Sequence, residues 1–223
     1  MHNFSFKRAA IFLLAAIVTL AVATPLASAA DNPAPDARFK PDVGADEGVA
    51  IFAGGCFWCM EEAFDPIDGV VSTTSGYTGG HLEDPGYKDV TAETSGHVEA
   101  LKVVYKTAEV DYKQLLDVFW HNIDPTDAGG QFCDRGDSYR SEIFYVTSEQ
   151  KSAAESSKKT LQDDSDAPSP IVTKIVPAVT FYPAEDYHQN YYKKNPLRYK
   201  FYHSACRRAA TLTKRWGDAA GGH

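Results

Sequence analysis

Gly54-Gly55-Cys56-Phe57-Trp58-Cys59-Met60-Glu61-Glu62 is the stretch on which the fold and the chemistry of this chain depend. It follows the apolar run 49–53, which predicts a buried strand, and opens a helical pattern that stops at Asp65-Pro66. The two glycines predict a turn, so Cys56 falls in the first turn of the helix. Unpaired N–H groups and the helix dipole favour an anion there. We therefore expect Cys56 to be a reactive thiol with a lowered pKa, rather than a structural cysteine.

The first 30 residues have the composition of an export signal. Lys7 and Arg8 precede the uncharged apolar run 9–23, and Ala27-Ser28-Ala29-Ala30 offers a cleavage site. The run is shorter than the ~20 residues of a membrane-spanning helix. We predict a signal peptide at 1–30 and an exported protein, periplasmic or extracellular. The alternative is an uncleaved signal that anchors the chain to the membrane.

The remaining chain divides into a leader, one domain and a short end. Residues 31–47 are rich in Pro, Ala and Asp and predict a flexible leader. Residues 48–217 predict a single catalytic domain with a C-terminal tail, and 218–223 predict a disordered end. The formal net charge of −8 disfavours binding to nucleic acid or anionic membranes. Because no apolar heptad or hydrophobic edge is evident, we expect a monomer.

Strands and helices interleave within the domain. The patterns predict strands at 69–74, 97–105, 142–146 and 171–181, helices at 111–122, 148–162 and 186–194, and long Gly-rich loops at 75–96 and 126–140. Strand 51–53 is separated from strand 97–105 by another strand and a long loop. This order favours an α+β fold over a doubly wound parallel fold. We predict a two-layer mixed sheet with packed helices, a ferredoxin-like (plait) core and an irregular C-terminal tail.

Four cysteines, Cys56, Cys59, Cys133 and Cys206, carry the possible redox chemistry. In an exported protein they can form two disulfides with three possible connectivities. The C-x-x-C of Cys56 and Cys59 is typical of a redox dithiol or of half a zinc site. Cys133 and Cys206 are isolated and lack zinc-ligand spacing, so we predict no metal and no bound cofactor.

Glu99 lies on an otherwise apolar face of the predicted strand 97–105, together with Leu101 and Val103. If it is buried, its pKa rises and it can donate a proton near neutral pH. The alternative is a solvated strand residue. Phe57 and Trp58 form either an apolar pocket beside the sulfur or part of the core.

Three polar residues of the Gly-rich loops complete the candidate site. They are Tyr87, Asp134 and Tyr139. A tyrosine hydroxyl can hydrogen-bond an oxygen in a dry pocket without adding charge. Each of the three, taken alone, is more typical of a surface residue than of a binding residue.

Five motifs in this order resemble the A-type peptide methionine sulfoxide reductases over about residues 48–217. The motifs are Gly54-Gly55-Cys56-Phe57-Trp58, Gly76-Tyr77-Thr78-Gly79-Gly80, Gly96-His97-Val98-Glu99-Ala100, Asp134-Arg135-Gly136-Asp137-Ser138-Tyr139-Arg140-Ser141 and Ala184-Glu185-Asp186-Tyr187-His188-Gln189. The resemblance implies that Cys56 is the nucleophile and Glu99 the acid. It further implies that the other candidates bind substrate. Phe57 and Trp58 would hold the methyl group, and Tyr87, Asp134 and Tyr139 would surround the sulfoxide oxygen and backbone.

The implied reaction reduces methionine S-sulfoxide, free or in proteins, to methionine and repairs oxidised exported proteins. Cys56 becomes a sulfenic acid, a second thiol forms a disulfide with it, and an external thioredoxin-like dithiol reduces that disulfide. Family members often carry recycling cysteines in the tail, which ranks Cys206 first as the resolving thiol. Cys59 ranks second, because thiols at i and i+3 of a helix bridge only with distortion. Cys133 ranks third.

Two functions of other classes remain alternatives. A general thiol–disulfide oxidoreductase would use the Cys56 and Cys59 pair without Glu99. A non-catalytic exported binding module would use the aromatic loops, with structural disulfides. A Cys56→Ser variant separates the binding module from both enzymes. A Glu99→Gln variant slows only the sulfoxide reductase.

Overall fold

The computed structural model describes Met1, Phe39 and residues 41–221. The predicted signal peptide, beyond Met1, and most of the predicted leader lie outside these described residues, as do 222 and 223. Within the described part of the chain, no helix combines the length and the apolar character needed to cross a membrane.

Helices and strands interleave along the chain, as the sequence pattern predicts. In chain order they are β1 (Glu47–Gly54), α1 (Phe57–Phe64), β2 (Val70–Thr78), α2 (Tyr87–Thr91), β3 (Val98–Lys106), α3 (Tyr112–His121), β4 (Gly130–Gln131), β5 (Asp134–Arg135), β6 (Ser141–Tyr145), α4 (Ser148–Asp163), β7 (Lys174–Pro177), β8 (Tyr182–Pro183), α5 (Tyr191–Lys194), α6 (Pro196–Ala205) and α7 (Arg208–Trp216). Short 3₁₀ turns cover Asp137–Tyr139 and Gly217–Ala219.

The main sheet is mixed and has the strand order β7-β6-β1-β3-β2-β8. Strand β1 lies inside it, antiparallel to β3 on one side and to β6 on the other. Only the β6–β7 pair among the described strands is parallel. The predicted mixed α+β architecture is therefore confirmed.

The helical face of the sheet is covered by an aromatic core. Phe52 of β1 stacks on Phe64 of α1 and on Phe119 of α3, with ring centroids 5.3 and 5.0 Å apart. All three rings are fully buried. Burial of each contributes about 2–3 kcal/mol of transfer free energy, so this contact fixes α1 against the sheet.

The opposite face of the sheet carries a smaller hydrophobic cluster, which is partly covered by residues before β1. Phe39 and Val43 pack against the cluster that contains Ile51 and Ala53. Because these side chains cover apolar surface of the sheet, packing begins N-terminal to Gly48. The last part of the predicted flexible leader therefore belongs to the folded domain.

Two predicted helix starts are confirmed by their caps. The Asp111 carboxylate accepts a hydrogen bond of 2.8 Å from the Gln114 N–H, and the Gln114 side chain accepts one of 2.9 Å from the Asp111 N–H. At α4, the Thr147 hydroxyl accepts a 3.2 Å hydrogen bond from the Gln150 N–H. Each cap satisfies an N–H group that has no partner within the helix.

The structure corrects three predicted boundaries. Strand β2 continues through Gly76 to Thr78, where the sequence predicts a loop, and α2 lies inside the predicted long loop. The predicted strand 171–181 is reduced to β7, which lies at the sheet edge and ends at Pro177, a residue with no N–H to donate. The predicted helix 186–194 shrinks to α5.

The C-terminal tail is ordered helix, so the prediction of an irregular tail is wrong. Helices α6 and α7 are joined at Arg207, which adopts a left-handed conformation with φ 55°. The predicted disordered end also packs in part. Ala220 is buried, and the Gly221 N–H donates a 2.8 Å hydrogen bond to the His121 carbonyl.

Candidate active site

Cys56 lies at the junction of β1 and α1, as predicted. Gly55 forms the turn with φ +79°, and a Cβ there would lie 2.5 Å from the Gln131 side chain. Cys56 itself is the N-cap, with the non-helical dihedrals φ −51° and ψ 117°. Its carbonyl accepts hydrogen bonds from the N–H groups of Cys59 (3.1 Å) and Met60 (3.3 Å). The thiol is thus placed at the helix N-terminus, but the prediction that Cys56 lies in the first helical turn is wrong, because the helix begins one residue later, at Phe57.

The prediction of a lowered Cys56 pKa is wrong for the resting site. Cys56 is only 5% exposed, and burial raises the pKa of its thiol. The thiol also donates a hydrogen bond to the sulfur of Cys59, and the negative charges of Glu99 and Asp134 disfavour a second anion. These effects outweigh the helix terminus.

Cys59 is the more acidic member of the pair. The hydrogen bond from Cys56 lowers the pKa of Cys59 to about 7, against the opposing effect of burial. Both thiols are free and buried. Of the two thiols, Cys59 is therefore the one that ionises more readily, with the Cys56 thiol as its hydrogen-bond donor.

Glu99 is buried in β3, as its predicted role as an acid requires. Its side chain is 2% exposed, and its Oε2 accepts a 3.0 Å hydrogen bond from the Phe57 N–H. Burial raises the pKa of Glu99 to about 8, although hydrogen bonds from the Phe57 N–H and the Tyr139 hydroxyl lower it. Below that pH the carboxyl carries a proton that it can donate.

Two of the predicted loop residues meet at Glu99. The Tyr139 hydroxyl lies within hydrogen-bonding reach of both Glu99 and Tyr87. Burial raises the pKa of each tyrosine, so both remain hydroxyl donors through the physiological range. Together these three residues can surround one oxygen atom with protons.

Two carboxylates outside the predicted set hold these tyrosines in place. Glu185 accepts a 2.9 Å hydrogen bond from the Tyr87 N–H, and Glu93 accepts bonds of 3.0 and 2.6 Å from the N–H and hydroxyl of Ser138, next to Tyr139. Glu185 lies in one of the quoted motifs, but neither residue shows a sequence pattern that reveals its partner.

The two predicted pocket aromatics differ in burial. Phe57 is 1% exposed and packs with Tyr77, Val90 and Ala184. Trp58 is half-buried and stacks on Tyr191 at 3.8 Å and an interplanar angle of 10°. The indole N–H of Trp58 donates a 3.2 Å hydrogen bond to Nδ1 of His188, whose pKa is lowered by burial.

Asp134 lies on the side of the site that faces the tail. The Tyr202 hydroxyl of α6 donates a hydrogen bond to its carboxylate. Burial raises the pKa of Asp134, and the bond from Tyr202 opposes that effect. Tyr199, also on α6, packs directly on Cys56 and Cys59. Sequence patterns do not reveal these tail tyrosines, whose only signal is the abundance of tyrosine between 182 and 202.

Cys133 and Cys206 form a disulfide, with Cys133 exposed and Cys206 buried. Three consecutive residues, 132–134, contact the C-terminal tail, and we call this set of contacts the tail clasp. Its contacts are Phe132 with Arg208, Cys133 with Cys206 and Asp134 with Tyr202.

In the part of the chain that the structure describes, one group of potential metal ligands has a suitable spacing, and it lies in the tail clasp. Cys133, Asp134 and Cys206 bring their ligand atoms within 4.8 Å of one another. Bonded sulfurs are not thiolate ligands, so this group does not fit a metal while the disulfide is intact.

Comparison with known proteins shows that the chain matches the model of one protein family. Residues 48–220 match the family model for peptide methionine sulfoxide reductase. A relative from Streptococcus agalactiae, described as peptide methionine sulfoxide reductase MsrA, is 52% identical over 167 residues, which cover 75% of this chain and 98% of the relative. The protein of the same description from Bacillus subtilis is 50% identical over 169 residues, covering 76% of this chain and 96% of the relative.

Solved structures agree with that match. Methionine sulfoxide reductase A of Corynebacterium diphtheriae superposes with a TM-score of 0.62 at 29% identity, covering 74% of this chain and 84% of that protein. Mxr1 from Saccharomyces cerevisiae in its reduced form gives a TM-score of 0.65 at 30% identity, covering 69% of this chain and 88% of that protein.

Proposed function

The chain belongs to the peptide methionine sulfoxide reductase family, and from this premise we propose how its own residues carry out the reaction. It is an oxidoreductase that acts on methionine sulfoxide. The proposed substrate is the S epimer, free or in proteins. One observation carries the proposed first step: the buried, proton-bearing carboxyl of Glu99 lies in one small site with the Cys56 thiol and the hydroxyls of Tyr87 and Tyr139.

In the first step, Cys56 attacks the sulfoxide sulfur while Glu99 gives its proton to the oxygen. The proton leaving the Cys56 thiol replaces the one that Glu99 donates, so the site ends with the same charge. The oxygen passes to the Cys56 sulfur as a sulfenic acid. Methionine is reduced by two electrons and Cys56 is oxidised by two. Tyr87 and Tyr139 orient the oxygen before proton transfer.

In the second step, Cys59 is the proposed resolving thiol, although the sequence ranks Cys206 first. The expected distortion of an i, i+3 bridge does not apply, because Cys56 lies outside the helical turn with ψ 117°. The Cys59 thiolate attacks the sulfenic sulfur, the S–S bond forms, and hydroxide leaves and takes up a proton to become water. An external thioredoxin-like dithiol then reduces the new disulfide.

The tail clasp favours a second route for recycling. If Cys133 and Cys206 are first reduced, the Cys206 thiol can attack the Cys56 sulfenic acid, which gives a Cys56–Cys206 disulfide and water. Cys133 can then attack the Cys206 sulfur of this disulfide and displace Cys56. That sequence returns Cys56 as a thiol and gives the observed disulfide, with Cys133 exposed to an external reductant. Cys206 lies one helical turn beyond Tyr202, which borders the site.

Thiol mapping after a single turnover separates the two routes. The Cys133→Ser/Cys206→Ser variant is given one equivalent of methionine sulfoxide without reductant. We expect one equivalent of methionine and a Cys56–Cys59 disulfide. A persistent sulfenic acid in this variant, together with normal recycling in Cys59→Ser, would move the resolving role to Cys206. Cys56→Ser is the control that releases no methionine. Absence of methionine from the wild-type protein would contradict the reaction itself.

The proposed setting is an oxidising, exported compartment, where the enzyme repairs oxidised proteins as a monomer. The signal pattern of residues 1–30 and the Cys133–Cys206 disulfide support it, because disulfides persist mainly outside the reducing cytosol. Cell fractionation of the full chain and of a chain lacking residues 2–30 tests this setting. Equal retention of both forms inside the cell would contradict it.

A further inference from the structure

Arg208, the first residue of α7, is a buried cation. Its side chain is 2% exposed, and no carboxylate oxygen of the described residues lies within 4.0 Å of its guanidinium. Its contacts are the carbonyl of Asn122, the Met60 sulfur at 3.5 Å and the Phe132 ring at 4.4 Å. A buried charge is costly unless an opposite charge lies nearby, so this position calls for an anion in the site.

The positive charge of Arg208 lowers the pKa of two acidic groups, the Asp134 carboxyl and the Cys59 thiol. Asp134 already has the Tyr202 hydroxyl as a partner, which leaves Cys59 as the anion to consider. Cys59 directly precedes Met60, whose sulfur Arg208 contacts, and its own thiol is buried. The pKa of Cys59 is lowered first by the hydrogen bond from Cys56 and then by the positive charge of Arg208, against burial. The ionisable groups around this thiol are Cys56 at the N-cap of α1, Tyr199 and Tyr202 of α6, Arg208 of α7, Glu99 of β3 and Asp134 of β5.

Of these neighbours, Arg208 alone carries a positive charge. Glu99 and Asp134 repel a thiolate when they are ionised, and the tyrosines contribute only hydroxyl dipoles. Without the guanidinium, a thiolate at Cys59 would keep the hydrogen bonds from the Cys56 thiol and the Tyr199 hydroxyl, but no positive charge would offset the carboxylates.

We propose that Arg208 is a positioning residue for the resolving step, because its guanidinium supplies the counter-charge of the Cys59 thiolate. The inference rests on the proposed function in one respect, that Cys59 attacks the Cys56 sulfenic acid. By holding Cys59 ionised and its neighbour protonated, Arg208 separates the roles of the two thiols. Cys56 receives the oxygen, and Cys59 removes it as water.

The tail contacts keep Arg208 in place independently of the disulfide. Helix α7 is also fixed by the 2.9 Å bond from Arg215 to Asp124 and by the 2.9 Å bond from the Trp216 indole to the Ile123 carbonyl. The guanidinium itself binds Asn122, which belongs to neither partner of the disulfide. Loss of the Cys133–Cys206 bond therefore leaves the counter-charge beside Cys59.

The test uses Arg208→Met in the Cys133→Ser/Cys206→Ser background, where only Cys56 and Cys59 titrate as thiols. Methionine fills the space without a buried charge, and the Asn122 carbonyl loses its guanidinium donor, so the fold of the variant is checked by circular dichroism before titration. We expect the thiolate absorbance midpoint of Cys59 to rise by about one pH unit, the lower end of the range for loss of an adjacent opposite charge. Arg208→Lys should recover part of the shift.

The same variants separate the two reaction steps. Methionine release in the first turnover should be unchanged, because the guanidinium contacts Met60, Asn122 and Phe132 and none of Cys56, Glu99, Tyr87 and Tyr139. Formation of the Cys56–Cys59 disulfide at pH 6 should slow about threefold, since tenfold less thiolate is partly offset by its greater nucleophilicity. Arg215→Gln is the matched control, because it removes a tail arginine and its ion pair without altering charge beside Cys59.

Each outcome decides the proposal. An unchanged titration midpoint in folded Arg208→Met overturns the counter-charge role. A shifted midpoint with an unchanged rate of disulfide formation overturns the role in the resolving step. If Cys59→Ser shows that Cys59 does not resolve, the proposed recycling route fails, while the titration of Arg208→Met still decides the counter-charge.

Discussion

Replacement of Glu99 by Gln should slow the reaction and stabilise the protein at the same time. The amide keeps the size of the side chain and can still accept the 3.0 Å hydrogen bond from the Phe57 N–H, but it has no proton to donate. General acid catalysis contributes ~10²–10⁴-fold, and Tyr139 and Tyr87 remain to polarise the oxygen. We therefore expect methionine release to fall about 100-fold.

The stability gain follows from the raised pKa of Glu99. In the unfolded chain the carboxyl titrates near 4.5, and burial raises the pKa to about 8 in the folded protein. Between these values the unfolded state ionises and the folded state does not, so stability falls as pH rises through this window. At pH 7 the loss is about 3 kcal/mol, and Gln removes it. The gain should vanish near pH 4.

Single-turnover methionine release and urea unfolding at pH 4 and 7 measure the two effects. Glu142→Gln is the matched control, since Glu142 is also a buried sheet carboxyl but pairs with Arg140 at 2.9 Å. Its replacement should lower stability and leave the first turnover unchanged. A Glu99→Gln protein with a first-turnover rate within about threefold of wild type would refute the assignment of the acid.

Three further variants test the surroundings of the site. Tyr139→Phe should slow methionine release at least ~10-fold in single turnover, because one donor to the oxygen is lost. His188→Leu should raise KM about fivefold with a smaller change in kcat, because Trp58 loses the acceptor of its indole N–H; steady-state kinetics with a methionine sulfoxide peptide measure it. Gly76→Ala should destabilise the fold by about 1–3 kcal/mol in urea unfolding, because its Cβ would lie 2.4 Å from the Tyr182 carbonyl oxygen.

Each of these variants has a control and an opposing result. Tyr182→Phe removes a hydroxyl away from the site and should leave methionine release unchanged. Gly86→Ala is tolerated by its surroundings, since the added Cβ would meet its nearest atom at 3.5 Å. A His188→Leu protein with unchanged KM would show that Trp58 does not need the imidazole to keep its orientation. Wild-type stability of Gly76→Ala would contradict the close approach of β8 to β2.

Local signals were sufficient to place the helix that follows Cys56. The glycine turn, the apolar run before it and Asp65-Pro66 after it act within a few residues of Cys56, so the sequence locates the N-terminus of α1 to within one residue. The same holds for the caps at Asp111 and Thr147. Period-2 alternation likewise placed Glu99 on an apolar face, and the structure buries it there.

Long-range pairing was beyond local signals. The Cys133–Cys206 bond spans 73 residues, and the contacts of the tail clasp depend on where α6 and α7 dock. The predicted direction of the Cys56 pKa shift is wrong for the same reason. A helix terminus is visible in sequence, but the burial of the thiol by Tyr199 and the adjacent Glu99 carboxyl depends on the tertiary fold. Residues that are distant in sequence but adjacent in the fold therefore determine the pKa of Cys56.

The two redox steps should depend on pH in opposite directions. The first needs protonated Glu99, whose pKa is about 8, so methionine release should decline above that pH. The second needs the Cys59 thiolate, whose pKa is about 7, so disulfide formation should decline below that pH. Burial of Glu99 and the hydrogen bond from Cys56 to Cys59 thus open a window near pH 7–8 in which both groups are partly in their active forms. Rapid-quench measurement of methionine and of the Cys56–Cys59 disulfide across pH 5–10 tests this, and two curves that fall on the same side would contradict the division of roles between the acid and the second thiol.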